Sequence, residues 1–267
     1  MSEPVLILER LVRRFEQGGQ VLEVLRGIDF RLHPGEMVGL IGPSGAGKST
    51  LLHAAGLLER PDGGRVVIDG TDVTRWPARR RAGLMARVFQ DPMAGTCEKL
   101  SIEENMALAF SRGANRGLGA AVRADRRDRF RAALKRLDLG LDKRLGDRMG
   151  LLSGGQRQAV SLLMATLQPM KILLLDEHTA ALDPRTADFV LQLTRDIVDE
   201  GRLTTLMVTH SMKQALDFGT RTVMLHEGRV VFDVSGEQRK GLQVEDLLAM
   251  FKRVRGEELS DDALLLG

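Results

Sequence analysis

The residues best suited to chemistry lie in a glycine-rich turn between a predicted strand and a predicted helix. This turn consists of Gly42, Pro43, Ser44, Gly45, Ala46, Gly47, Lys48, Ser49 and Thr50. Glycines at this spacing let backbone N–H groups surround an anion, and the start of the following helix adds partial positive charge. Lys48 can reach the outer phosphates of a nucleotide, and the Ser49 hydroxyl can hold Mg²⁺. The pattern predicts a phosphate-binding loop, which by itself fits a nucleoside triphosphatase or a kinase.

Two adjacent carboxylates follow another apolar run. Asp176 and Glu177 come directly after Ile172 to Leu175. Asp176 suits Mg²⁺, held through water beside Ser49, and Glu177 can hold an attacking water. A general base in that position typically contributes about 10²–10⁴ in rate. Alone, the pattern equally fits a buried strand with acidic residues at its end; after a phosphate-binding loop it favours hydrolysis.

A second candidate anion site opens a later helix. The segment Ser153 to Gln156 is a Ser-Gly-Gly turn, and a helical pattern then runs to Leu167. Such a turn at a helix N-terminus combines N–H groups, a hydroxyl and the positive end of the helix dipole. The chain therefore carries two separate phosphate-binding elements but only one phosphate-loop lysine, Lys48.

Strands and helices alternate around these stretches. Continuous apolar runs, typical of buried parallel strands, occur at 37–41, 172–175, 205–208 and 223–225. Before the phosphate-binding loop, residues 5–32 indicate antiparallel strands, because apolar and polar residues alternate over 28–33. From 101 to about 148 the pattern becomes helical. Together these patterns predict an α/β fold with a mostly parallel sheet, an antiparallel β segment and an inserted group of helices.

Three local signals refine the helices. Ser101 to Glu104 is a capping box, and Phe130, Leu134 and Leu137 recur at helical spacing. A last helix is predicted over 244–255. Its apolar face consists of Leu247, Leu248 and Phe251. Within the earlier helical region, a flexible connection between helices is predicted by Gly113, Gly117 and Gly119.

Composition narrows the class of protein. The 267 residues are 43% hydrophobic and 28% charged, which suits a packed globular core. The single cysteine, Cys97, excludes an intrachain disulfide, suits a reducing cytosol and is expected to be a small packing residue. No apolar run approaches the roughly 20 residues that span a bilayer, and the N-terminus does not resemble a signal peptide. We therefore expect any membrane role to come through a partner.

Arginine-rich runs at 79–81 and 123–136 leave two interpretations, contacts to nucleic acid or solvated helix faces. Asp125, Asp128 and Asp138 interleave with the arginines, aromatic residues are only 4% of the chain, and tyrosine is absent. Sequence-tolerant nucleic-acid binding relies on aromatic stacking. We favour a solvated helix face, such as one that meets a partner protein.

In their order, these motifs resemble those of ATP-binding cassette (ABC) ATPases, and the resemblance covers Val5 to Phe232. It implies a P-loop NTPase (RecA-like) core with a mostly parallel sheet, an N-terminal antiparallel β subdomain and an inserted α-helical subdomain. The implied division assigns 1–89 and 160–235 to the nucleotide-binding core, 90–159 to the helical and signature subdomain, and 236–267 to a short C-terminal helical tail. The signature of the family corresponds to the Ser-Gly-Gly turn of Ser153 to Gln156.

The resemblance also implies roles for individual residues. Phe15 is expected to stack on adenine, and Glu177, His210 and Gln90 are expected to act in catalysis. Residues expected to bind the nucleotide are Phe15, Gly42, Pro43, Ser44, Gly45, Ala46, Gly47, Lys48, Ser49, Thr50, Ser153, Gly154, Gly155, Gln156 and Asp183, the last in a dimer-contact loop. Mg²⁺ is expected at Ser49, Gln90 and Asp176.

ATP and Mg²⁺ are thus the implied cofactors. Cassettes of this family pair head to tail, so we expect a second copy or a related cassette, integral membrane permease subunits and an extracytoplasmic solute-binding protein, but no nucleic acid. This places the chain at the cytoplasmic face of the inner or plasma membrane. The favoured function is import of a small solute, such as an amino acid. The alternatives are a soluble cassette ATPase acting on nucleic acid, ribosomes or cofactor assembly, a lipid or lipoprotein exporter cassette, and a small kinase.

Two departures from the family pattern stand out. His178 replaces the proline that usually follows the catalytic glutamate, which changes backbone freedom and adds a titratable ring; we expect little effect on rate. The helix after the signature lacks arginines that many relatives carry at 158–166. With the segment 91–96, that helix resembles a less studied group of bacterial cassettes that work with separate permeases and a solute-binding protein.

Overall fold

The computed structural model describes residues 2–56, 58–113 and 124–255, which divide into two compact units. The first unit is drawn from 1–78 and 202–267, and the second from 79–201. The sequence-based division into a core, a helical subdomain and a tail remains a prediction. Among the described residues, no helix combines the length and apolar character needed to cross a membrane.

The described strands and helices are numbered in chain order. The strands are β1 (Leu6–Gln17), β2 (Gln20–Leu32), β3 (Met37–Ile41), β4 (Gly63–Ile68), β5 (Thr71–Asp72), β6 (Met85–Val88), β7 (Ile172–Asp176), β8 (Thr205–Val208), β9 (Arg221–His226) and β10 (Arg229–Ser235). The helices are α1 (Lys48–Ala55), α2 (Ala78–Arg81), α3 (Ile102–Phe110), α4 (Ala124–Lys135), α5 (Gly154–Thr166), α6 (Pro184–Gly201), α7 (Met212–Phe218), α8 (Gly236–Arg239) and α9 (Val244–Arg255). Short 3₁₀ turns lie at Leu141–Lys143 and Met149–Leu151.

The first unit contains both kinds of sheet that the sequence predicts. An antiparallel sheet has the order β2-β1-β4-β5, and β3 pairs in parallel with both β8 and β9, with β10 antiparallel to β9 at the edge. Every residue of β3 and β8 is buried, as expected for parallel strands covered on both faces. The α/β fold with an N-terminal antiparallel sheet and a mostly parallel sheet is confirmed.

Helices α7 and α9 pack near the end of β3. A Cβ atom on Gly39 of β3 would lie 2.9 Å from the Cβ of Ala215 in α7, so the glycine permits a close helix–strand approach. Leu247 and Phe251 of α9 join Ile41 in one buried cluster. The predicted last helix therefore supports the strand that leads into the phosphate-binding loop.

The second unit contains the parallel pair β6 and β7 and the helices α3 to α6. Phe130, Leu134 and Leu137 are buried in its core, as their helical spacing predicts. The capping box at Ser101 and Glu104 is present at the start of α3. Most described arginines of the 123–136 run are exposed, in agreement with a solvated face. Arg123, Gly117 and Gly119 lie outside the described residues.

Cys97 is exposed, so the expectation that it would be a packing residue is wrong. It lies in a loop of turns between β6 and α3 rather than on an apolar face. The buried Asn105 side chain holds this loop by accepting from the Cys97 N–H at 2.7 Å and donating to the Cys97 carbonyl at 3.0 Å. The backbone of Cys97 is thus fixed while its thiol faces solvent.

Candidate functional site

The phosphate-binding loop connects β3 to α1 in the first unit. Gly42, Gly45 and Gly47 adopt positive φ angles of 146°, 76° and 98°. A Cβ atom on Gly42 would lie 2.2 Å from the carbonyl oxygen of Leu225, so no side chain fits there. L-residues with a side chain rarely adopt such angles, and the tight turn of a phosphate cradle therefore requires these glycines.

Lys48 is the first residue of α1 and is 8% exposed. Its Nζ donates to the carbonyl oxygens of Gly42 at 2.7 Å and Pro43 at 3.1 Å. The next residue, Ser49, is exposed, and Thr50 is half-buried. An ammonium group, a hydroxyl and the positive end of a helix therefore meet at one helix start, an arrangement that favours a polyphosphate.

Phe15 is half-buried in β1, beside Leu22 of the adjacent strand. The guanidinium carbon of Arg13 lies 4.5 Å from the centre of the Phe15 ring. Val21 and Leu22 of β2 are 64% and 50% exposed. The hairpin thus offers an exposed apolar surface next to an aromatic ring, which is chemically suited to a nucleobase.

His210 is exposed and follows β8 by two residues. Its neighbour Thr209 is fixed on two sides, because its N–H donates to the Leu40 carbonyl at 3.1 Å and its hydroxyl donates to Gln214 at 2.7 Å. Since β3 and β8 are parallel, their carboxyl ends lie at one edge of the sheet. The structure therefore places His210 at the same edge as the start of the phosphate-binding loop.

In the second unit, Asp176 ends β7 and Gln90 follows β6. The two strands are parallel, with Val88 opposite Leu175, so both polar residues lie toward the same edge. Asp176 is 7% exposed and forms an ion pair with Arg87 of β6, whereas Gln90 is exposed. The edge thus holds one buried carboxylate and one solvent-accessible amide.

Glu177 has an unusual backbone for a residue with a side chain. Its φ is +43°, in the left-handed region, and it is half-buried. The Glu177 carbonyl accepts a hydrogen bond from the Ala180 N–H at 2.9 Å. Non-glycine residues in this conformation cost about 1–3 kcal/mol and concentrate at functional sites.

The Ser-Gly-Gly turn caps α5. The Ser153 hydroxyl accepts from the Gln156 N–H at 3.2 Å, and the Gln156 side chain accepts from the Ser153 N–H at 3.2 Å. Ser153 and Gly154 are exposed, whereas Gly155 is buried. A Cβ atom on Gly155 would lie 2.1 Å from Cγ2 of Thr186 at the start of α6. The buried glycine therefore lets α5 and α6 approach closely while the outer end of the turn faces solvent.

Asp183 lies beside this contact. It accepts a hydrogen bond from the Thr186 N–H at 3.1 Å. Hydrogen bonds from the Thr186 hydroxyl and N–H hold the pKa of Asp183 below its usual value. The structure thus brings the signature turn and the predicted dimer-contact loop together through one residue, Thr186.

The predicted site residues are divided between the units. The first unit carries Phe15, Gly42 to Thr50 and His210. The second unit carries Gln90, Ser153, Gly154, Gly155, Gln156, Asp176, Glu177 and Asp183.

Comparison with protein families gives a match to the model described as ABC transporter over residues 25–180. The chain belongs to the ABC transporter ATPase family. Members of this family are ATP-binding cassettes that hydrolyse ATP and associate with membranes through permease partners.

Two relatives of this cassette are similar over most of their length. One is the tyrosine transport ATP-binding protein of Clostridioides difficile, 41% identical over 88% of this chain and 93% of that protein. Another is the lipoprotein-releasing system ATP-binding protein LolD 2 of Caulobacter vibrioides, 38% identical over 86% of this chain and 98% of that protein. Relatives thus include proteins named for two different transport tasks.

A solved structure of the cassette MJ0796, a dimeric post-hydrolysis state bound to ADP and Pi, superposes with a TM-score of 0.75. It is 29% identical, and the match covers 89% of this chain and all of that one. The likeness supports the cassette fold, the ATP-hydrolysing activity and a dimeric working form for this family.

The sequence did not indicate two contacts of the cassette's second unit. One is the Arg87–Asp176 ion pair, for which the only signal is a charged residue inside an apolar strand. The other links His178 to α6: the ring Nε2 lies 3.0 Å from Oγ1 of Thr194, whose hydroxyl donates to the Val190 carbonyl at 2.7 Å. Because that hydroxyl proton is already used, the His178 Nε2–H must be the donor to Thr194.

Burial lowers the pKa of His178 from 6.5 to about 4. The folded cassette therefore keeps His178 neutral at a pH where the unfolded chain binds a proton. Stability from this residue is fully present above pH 6.5 and is lost as the pH falls toward 4. Between pH 7 and pH 5 we expect the free energy of unfolding to fall by about 2 kcal/mol more in the parent than in His178→Gln.

Chemical denaturation at the two pH values, followed by circular dichroism, measures this difference. Glutamine retains a donor for Thr194 but does not titrate, so the variant is a matched reference for all other ionisable groups. Equal pH dependence in the two proteins would show that His178 is not buried as a neutral ring.

Proposed function

We propose that this cassette binds ATP with Mg²⁺ and hydrolyses it to drive import of a small solute, such as an amino acid. In this proposal the phosphates lie on Gly42 to Thr50 and adenine stacks on Phe15. The observation that carries the proposal is the pairing of motifs within one chain. A glycine-rich loop with a buried Lys48 stands in one unit, and an exposed Ser-Gly-Gly helix start stands in the other.

The available oxygen donors fit Mg²⁺. Ser49 and Gln90 are exposed, and Asp176 supplies a carboxylate. Among the described residues, no group of three or more His, Cys, Asp or Glu side chains could hold a metal ion by itself. Mg²⁺ in nucleotide sites is commonly held by one or two carboxylates plus substrate phosphates. We infer that the metal enters with ATP, where it would neutralise phosphate charge.

Glu177 is the proposed general base. Its left-handed backbone directly follows Asp176, so the base and the metal-holding carboxylate are linked by one peptide bond. His210, held by the fixed Thr209, is proposed to orient the attacking water and stabilise charge on the γ-phosphate.

The exposed signature turn supports a head-to-tail pair of cassettes. Ser153 and Gly154 face solvent at the start of the 13-residue helix α5, and a helix N-terminus attracts phosphate. We propose that Ser153 to Gln156 of one cassette covers the nucleotide held by the phosphate-binding loop of the other, with Asp183 nearby. ATP then favours the closed pair because its γ-phosphate adds contacts that exist only in that state.

The proposed permease surface is the loop that follows Gln90. Met93 of this loop is 45% exposed, and Leu108 of α3 is 42% exposed. We propose that these two exposed apolar side chains contact the permease. The cassette would thereby act at the cytoplasmic face of the inner or plasma membrane.

An amino-acid cargo is favoured by the tyrosine transport relative, which is 41% identical over 88% of this chain. A second candidate is release of lipoproteins, since LolD relatives from Ruegeria pomeroyi and Caulobacter vibrioides are 39% and 38% identical. The two functions differ in what accompanies the permease. In the import proposal the permease works with a secreted solute-binding protein, and in the lipoprotein proposal it receives acylated protein.

Affinity purification from detergent-solubilised membranes tests the proposal. We expect a multi-span permease to co-purify, and expect ATP hydrolysis by the complex to rise when a solute-loaded binding protein is added. Met93→Asp should reduce the permease yield at least threefold, because a charge replaces apolar contact area. Leu58→Asp, at a residue 58% exposed in the other unit, is the matched control.

Recovery of only ribosomes or DNA would contradict a transport role. Stimulation by acylated protein, but not by any loaded binding protein, would replace import with lipoprotein release. Equal loss of permease with Met93→Asp and Leu58→Asp would contradict the proposed contact surface.

A further inference from the structure

Arg87 is a charged residue inside an otherwise buried strand. The other residues of β6, namely Met85, Ala86 and Val88, are buried. The Arg87 side chain is only 12% exposed. A guanidinium group in such surroundings is costly to desolvate unless an anion or a π-system faces it.

Both kinds of partner are present. The Nη2 of Arg87 contacts Oδ2 of Asp176, whose side chain is 10% exposed. The guanidinium carbon also lies 4.5 Å from the centre of the Phe89 ring. Arg87 is therefore held between the carboxylate that ends β7 and the ring that precedes Gln90, and its charge opposes that of Asp176 directly.

A buried ion pair is weak grounds for stability, because two apolar residues often serve as well. Asp176 cannot be exchanged for an apolar residue if it holds a metal ion. A buried carboxylate is costly to desolvate, and the adjacent guanidinium group offsets that cost. The same cation repels any further cation that approaches the carboxylate.

We propose that Arg87 is a positioning residue that acts as an internal counter-ion to Asp176, so that a divalent cation must share this carboxylate with a guanidinium. This role of Arg87 rests on the proposed assignment of Asp176 to Mg²⁺ and adds a second residue to that site. Arg87 fixes Oδ2 and weakens metal binding, so the metal is retained only together with nucleotide phosphates. The pair thereby limits binding of free divalent cations.

Mn²⁺ titration followed by electron paramagnetic resonance, with and without a non-hydrolysable ATP analogue, tests the inference. Arg87→Met removes the charge and keeps much of the length, and we expect Mn²⁺ to bind about tenfold more tightly. Arg87→Gln keeps a donor for Asp176 without the charge and should show the same gain if the methionine variant fails to fold. Arg87→Lys keeps the charge and should stay within about twofold of the parent.

Two further variants separate the possible failures. Arg112→Met removes another guanidinium that is partly buried and donates to the backbone carbonyls of Ala165 and Gln168, and it should change Mn²⁺ affinity less than twofold. Asp176→Asn should weaken Mn²⁺ binding at least tenfold. If Asp176→Asn binds Mn²⁺ like the parent, the proposed metal assignment fails. If it loses Mn²⁺ while Arg87→Met and Arg87→Gln leave affinity unchanged or weaker, the counter-ion role of Arg87 is overturned.

Discussion

Glu177→Gln is expected to lower ATP hydrolysis by about 10²–10⁴-fold while leaving ATP affinity within a few-fold of the parent. Glutamine has nearly the shape of glutamate but cannot accept a proton from the attacking water. The left-handed backbone at φ +43° has the same energetic cost for glutamate and glutamine, so the variant should keep the fold. With ATP bound but not hydrolysed, the variant should accumulate as a dimer.

Three measurements on purified protein check this result: steady-state phosphate release, ATP binding by titration calorimetry, and molar mass by light scattering with and without ATP. Glu227→Gln is a matched control, because Glu227 also has a left-handed backbone, with φ +46°, in the turn between β9 and β10. It should hydrolyse ATP like the parent. A Glu177→Gln protein with the parental rate would remove Glu177 from the role of base.

Local patterns predicted most of the elements that hold the site. The Ser101 capping box, the core spacing of Phe130 and Leu134, and the last helix at 244–255 are each encoded within a few residues. Periodicity and capping operate over such distances, so sequence reasoning reaches them. The phosphate-binding loop is equally local, since its glycine angles follow from one turn between β3 and α1.

Contacts between distant segments were not predictable in the same way. Arg87 meets Asp176 because β6 and β7 pair in a particular register across 89 positions of sequence. His178 lies in the loop before α6, and its ring contacts Thr194, which lies 16 positions later inside that helix. The exposure of Cys97 likewise depends on the hydrogen bonds by which the Asn105 side chain holds the backbone of Cys97. Pairing registers and helix docking are set by the whole core, which no single window of sequence contains.

The structure distinguishes the two predicted anion-binding elements. In the phosphate-binding loop, the ammonium group of Lys48 points back into the loop and donates hydrogen bonds to its carbonyl oxygens. In the signature turn, Ser153 and Gly154 are exposed to solvent, whereas the buried Gly155 packs against Thr186. In the proposed function the loop holds the nucleotide, and the exposed turn meets a nucleotide that is held by another cassette. This asymmetry is the physical basis for expecting a head-to-tail pair.

Lys48→Ala is expected to weaken ATP binding by about 10- to 100-fold, because a charge-assisted contact to phosphate is worth about 1.5–3 kcal/mol and its loss leaves the anion partly unpaired. Alanine is the best helix former, so α1 should still begin at this position. At the same ATP concentration, the nucleotide should therefore raise the melting temperature of the parent more than that of the variant, since ligand stabilisation follows occupancy.

Titration calorimetry gives the affinities, and Lys213→Ala is the control. Lys213 is exposed in α7 of the same unit and pairs with Asp217, so its loss removes the same charge without touching the loop. Equal weakening in both variants would attribute the effect to net charge rather than to the loop. Parental affinity in Lys48→Ala would mean that the glycine turn binds phosphate through its backbone alone. The inward-facing ammonium group would then be a structural brace for Gly42 and Pro43 rather than a ligand for ATP.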